Sequence, residues 1–162
     1  MKTQISIITL LFTLSAYCQN FPSFDDKHAH CALTSTFKDT SCSQVYDKMT
    51  KLIGLFNPEP ISQGIYKIVD SKQDGYIWTT RTTPKAHYVD DIIFNFTQGT
   101  DATSCIVSSK SRSQTLSLFD YDTNYCNMWT VLHGLGGLAG VIVDQQNCMW
   151  IPDDAKYSCS IY

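Results

Sequence analysis

The sequence predicts a single α+β domain, an antiparallel, twisted sheet of about five or six strands with one amphipathic helix packed on a face and disulfides as staples. Three observations carry this prediction: one segment of helical period at 43–56, a series of short alternating runs separated by turn residues between 64 and 121, and an even set of cysteines beyond the N-terminal leader.

Residues 1–18 carry Lys2, an apolar run from Ile5 to Leu14, and then Ala16 and Cys18 as the small residues a signal peptidase reads. The run is too short to span a bilayer of about 30 Å, and no later stretch approaches the roughly 18 apolar residues a spanning helix needs. The expected location is therefore extracellular or the lumen of the secretory pathway. Cleavage after Cys18 leaves Cys31, Cys42, Cys105, Cys126, Cys148 and Cys159, which in an oxidising compartment imply three disulfides. Six cysteines allow 15 pairings. The local set, Cys31 with Cys42, Cys105 with Cys126 and Cys148 with Cys159, closes the shortest segments and is the expected one.

Residues 19–42 show neither period and are rich in Ser, Thr and Asp, which reads as an N-terminal arm ahead of the 43–162 domain. Val45, Met49, Leu52, Ile53 and Phe56 then recur at helical spacing, with Ser41 or Ser43 as N-cap, Gly54 near the end and Pro58 and Pro60 beyond it. Strand-like runs follow at 64–70, 76–82, 87–96, 103–110 and 115–121, with Gln73-Asp74-Gly75 as hairpin chemistry and Pro84 as a break. Tyr125, Met128, Trp129 and Leu132 suggest a second short helix capped by Thr123 or Asn124. Residues 140–152 suggest one more strand. The chain shows no internal repeat or low-complexity linker.

A formal charge of −3, with Lys and Arg scattered singly, argues against a nucleic-acid partner. Nine Tyr, eight Phe and three Trp supply the apolar area of a core.

Several groups could carry chemistry. Asp90 and Asp91 are adjacent on a strand, so they point to opposite faces, cannot act as a dyad, and only one of them is expected to be buried. Ser109, Ser111, Ser113 and Ser117 alternate to give a hydroxyl-lined face with Arg112 pointing the other way; the solvated side of an antiparallel sheet is its plainest reading. The run 120–124 places oxygen ligands at alternate positions, but Tyr125 and Leu132 stand where a calcium loop needs Gly and Glu, which excludes an EF-hand and leaves capping as the simpler account. His28, His30 and Cys31 would suit zinc or copper, but an oxidised Cys31 is expected instead, so no metal and no cofactor are predicted. No serine lies in a Gly-x-Ser-x-Gly elbow. Asn95-Phe96-Thr97 is an acceptor for N-glycosylation.

Val89, Asp90, Asp91 and Phe94 on one run, Ser109, Ser111 and Arg112 on the next, and then Asp120 four residues before Asn124 form a pattern that resembles the domain-of-unknown-function family 1499. The resemblance covers about residues 44–130. It implies a fold and leaves the biochemistry open, with Asp90, Asp91, Ser109, Ser111, Arg112, Asp120 and Asn124 as a binding or structural cluster. The chain departs from the pattern in a longer interval between Arg112 and Asp120, in Asp122 where Gly is usual, and in Tyr125-Cys126 where basic residues follow the Asn. No nucleophile and base stand together, so a secreted, non-enzymatic binding or structural module is the expected role, with a small apolar ligand held between Trp78, Phe94, Phe96 and the helix. The alternative is a small-substrate enzyme using Asp90, Asp91, Arg112 and Asp120.

Overall fold

The computed structural model describes residues 20–101, 103–140, 142–144 and 147–161, so the leader read at 1–18 lies outside the described residues. Among the described residues, six antiparallel strands form one open sheet: β1 (His30–Phe37), β2 (Ile65–Lys72), β3 (Tyr76–Thr82), β4 (Val89–Gln98), β5 (Cys105–Ser113) and β6 (Ile142–Val143), in the order β2-β3-β4-β5-β1-β6. Two helices, α1 (Cys42–Leu55) and α2 (Thr123–Gly134), cover one face, and a single turn, α3 (Ala155–Ser158), follows near the C-terminus.

The predicted helix and hairpins form for the predicted reasons. Ser41 caps α1 by accepting from the Gln44 amide while the Gln44 side chain accepts from the Ser41 amide, a reciprocal capping box. Val45, Met49 and Ile53 then bury one stripe of the helix against Ile77, Ile92 and Phe94 of the sheet.

Residues 30–37 correct the reading of 19–42 as an arm. They form β1, paired along its whole length with β5, His30 opposite Arg112 and Phe37 opposite Cys105. Its inward positions are Cys31, Leu33, Ser35 and Phe37, so the alternation is only half apolar; Ser35 is buried because its hydroxyl donates to the Gly137 carbonyl.

This strand also overturns the local disulfide pairing. At about 3.3 Å per residue, β1 carries Cys31 far from Cys42, and β5 does the same to Cys105 and Cys126. The observed bridges are Cys31–Cys148, Cys42–Cys105 and Cys126–Cys159, and they tie β1 to the C-terminal segment, α1 to β5, and α2 to the chain just after α3.

The run 115–121 is not a strand. Since β5 already has β4 and β1 on its two edges, the chain leaving it cannot fold back as a hairpin partner of β5, and it continues as a loop with an isolated bridge between Ser117 and His28. The expected C-terminal strand is reduced to the two residues of β6.

Candidate functional site

The polar signature divides between the two faces of the sheet at the end where β4 begins and β5 finishes. Asp90, Ser109, Ser111 and Ser113 point toward the helices; Asp91 and Arg112 point the other way. The expectation of a solvated hydroxyl face is overturned, because α2 covers it. Ser109 donates to the Leu33 carbonyl, 3.0 Å. The Ser111 hydroxyl donates to Asn124 Oδ1, 2.7 Å, and accepts from Asn127 Nδ2, 3.0 Å.

Asn124 and Asn127 organise this face. Asn124 Nδ2 donates to the Ala29 carbonyl, to Ser113 Oγ and to Asp120 Oδ2 at 3.0, 3.1 and 2.8 Å. Asn127 Nδ2 donates to Asp90 Oδ2, 2.9 Å. The Tyr66 hydroxyl donates to the Asn127 carbonyl, 3.0 Å, and burial raises its phenol, which stays a neutral donor. Burial also pushes the Asp90 carboxyl up, an effect opposed by hydrogen bonds from Asn127 and Ser113 and by the charge of Arg81.

Arg81 was not singled out by the sequence. It stands opposite Asp90 on β3, is 1 % exposed, and packs so closely beneath Gly64 that a Cβ there would meet Arg81 Nε at 2.3 Å. The available signal was parity, since Ile77, Thr79 and Arg81 share one face of β3.

Tyr121 and Asp122 both take left-handed backbone conformations, with φ of 48° and 68°, a costly arrangement for two consecutive residues that are not glycine. This bend turns the Asp120 carboxylate back over the start of α2, where Oδ2 accepts from the Asn124 amide at 3.0 Å. Asp122, at the N-cap position, makes no side-chain cap bond. Capping at 120–124 is thus done by Asp120, three residues ahead of Thr123 and four ahead of Asn124, the positions read as caps.

Beside this network opens a cavity of about 500 Å³. Asp90, Ser113 and Asp120 supply its buried polar floor, and Tyr88, Leu116, Leu118, Phe119 and Tyr121 its largely apolar walls, all of them exposed at the mouth. Asp120 is nine-tenths buried, and its Oδ1 has no hydrogen-bond partner among the described residues.

On the opposite face, residues 20–28 lie across the sheet. Phe21 meets Trp78 edge-on at 5.8 Å between ring centres, Phe24 stacks on His30 at 4.2 Å, and Asp25 holds Arg112 Nη2 at 2.7 Å and His28 Nδ1 at 2.8 Å. Asp91 accepts from Trp78 Nε1 at 2.9 Å. Asp90 and Asp91 are therefore both buried, at 2 % and 6 % exposure, against the expectation that only one would be, because each face has its own cover. Arg112 pairs with Asp25 and not with Asp90 or Asp120. Hydrogen bonds from Arg112 and then His28 hold the Asp25 carboxyl well below the usual range.

The remaining candidates fall as follows. Cys31 is bridged to Cys148, and among the described residues no group of three His, Cys, Asp or Glu side chains could hold a metal ion. Asn95 lies half-buried within β4, on the face crossed by residues 20–28. Phe94 and Phe96 are packed in the core beneath α1, while Trp78 lies across the sheet from them, so these three do not line one site with the helix. No described helix is long and apolar enough to cross a membrane.

Comparison of the chain with protein-family models finds no match, and no curated protein matches it.

Proposed function

We propose that the protein is a secreted binding module whose ligand site is the cavity between the 83–88 turn and the 116–121 loop. The observation that carries this reading is the combination of apolar walls with a buried polar floor on one side of a disulfide-braced domain. Exposed Leu116, Leu118 and Phe119 have no packing role in the core, and burying them against a ligand would gain roughly 25 cal/mol per Å². An enzymatic reading would need Arg112 beside Asp90 and Asp120; the sheet stands between them, and of Asp90, Asp91 and Asp120 only Asp91 shares the face of Arg112. The resemblance of residues 44–130 to family 1499 belongs to this reading as a shared scaffold and adds no chemistry to it.

Fluorescence titration with N-phenyl-1-naphthylamine, a neutral apolar dye, tests the proposal. One saturable site per chain is expected, lost in Ala86→Trp, which adds an indole to the cavity wall from an exposed turn. Absence of saturable binding, or binding indifferent to Ala86→Trp, would remove the site. Mass mapping of the secreted form should find Gln19 at its start and no free thiol.

A further inference from the structure

The floor of the cavity is built from acceptors. Asp120 spends Oδ2 on the Asn124 amide and side chain, and Oδ1 is left without a donor among the described residues. Ser113 Oγ already accepts from Asn124, and the Thr123 hydroxyl donates to the Asp120 carbonyl. A buried carboxylate oxygen without a donor costs a large part of its desolvation free energy, so a ligand that brings an N–H or O–H to it gains more than the contact alone.

Charge selects among donors. Asp90 has Arg81 opposite it, on β3, whereas no lysine or arginine forms an ion pair with Asp120 among the described residues. Asp122 titrates upward through burial and through the nearby charges of Asp120 and Asp153, which marks this end of the molecule as electronegative. Lys85 is the one cation lining the cavity among the described residues, and it lies exposed at the rim. Above the floor stand the rings of Tyr88, Phe119 and Tyr121, whose faces attract a cation.

We propose that the cavity takes an organic amine, an ammonium group on an apolar or aromatic body, with Asp120 receiving the ammonium and the aromatic walls receiving the body. This inference rests on the cavity being a binding site and names the ligand class for it. Fatty acids and other carboxylates are disfavoured, since the floor offers them like charge and no unspent donor.

Three eight-carbon probes of equal length, octylamine, octanol and octanoate, separate the possibilities by calorimetric titration at neutral pH and low salt. Octylamine should bind at least about tenfold more tightly than octanol, with octanoate weakest, the ratio expected when one charge-assisted hydrogen bond distinguishes the first two. Asp120→Asn should erase the preference of octylamine over octanol. If that variant fails to fold, judged by circular dichroism, the ranking of the three probes on the wild-type chain still decides. Octanol or octanoate binding as tightly as octylamine overturns the amine inference and leaves the cavity standing. Failure of all three to bind overturns the cavity reading itself.

Discussion

The two faces of the sheet carry adjacent residues of one signature and treat them in opposite ways. On the helix face, Asp90, Ser111 and Ser113 are tied through Asn124 and Asn127 to Asp120, and all three disulfides brace the layer that covers them. On the other face, Asp91 and Arg112 lie beneath residues 20–28, held by ring contacts and by an ion pair whose Asp25 side chain is 41 % exposed. Cross-linking and buried hydrogen bonds make the first face a rigid support for the cavity; the second is a strap. The strand period of two produces the division, since neighbours in sequence cannot share a face.

The largest expected loss lies on the braced face. Replacing Cys31 and Cys148 together by Ser releases a loop of sequence separation 117 and should cost about 4–5 kcal/mol in the chain-entropy account, read by urea unfolding. A loss under about 1 kcal/mol would show that packing alone holds the C-terminal segment. Next comes Asn124→Ala, which strands Ser111, the Ala29 carbonyl and Asp120 in a buried site; about 3 kcal/mol is expected, and a near-neutral result would mean that the network contributes little to holding α2 on the sheet.

The strap should respond more weakly. Phe21→Ala removes the ring against Trp78 and should cost about 1 kcal/mol, with Trp fluorescence shifted red and made more quenchable by acrylamide. Arg112→Met should lower the melting temperature less than either change on the braced face, because its partner is partly exposed to water. A fall as large as that of Asn124→Ala would make the two faces equal and break the comparison.

Their pH responses should differ in sign. Asp90 has a raised carboxyl, so between the ordinary 3.8 and its folded value the folded state keeps a proton the unfolded chain has released, and stability falls as pH rises through that window. Asp25 has a lowered carboxyl, so its contribution is present above 3.8 and is lost as pH falls toward the folded value. Asp90→Asn should flatten the first slope and leave the second; unfolding curves collected from pH 3 to 7 distinguish them, and an unchanged profile would contradict the burial of Asp90.

Much of the fold was legible in sequence because local chemistry governed it. The Ser41 cap, the 43–56 stripe and the Asp74-Gly75 hairpin each act within a few residues. What escaped depended on distant partners. β1 was hidden because Cys31 and Ser35 occupy half of its inward positions, and their burial is explained only by Cys148 and the Gly137 carbonyl. The 115–121 run looked like a strand, and only the filled edges of β5 show why it cannot pair back onto β5. At the site, the opposite orientation of Ser111 and Arg112 followed from strand period alone. Arg112's pairing with Asp25, 87 residues away, did not, and neither did the buried Arg81.

The most direct test of the account is a nitrogen–proton correlation spectrum of the labelled protein titrated with octylamine. Amide shifts should move at Tyr88–Asp90, at Leu116–Asn124 and little elsewhere, placing the ligand at the braced end of the helix face. Shifts centred on residues 20–28, Trp78 and Ile93 would put binding under the strap instead and contradict the assignment of function to the cavity.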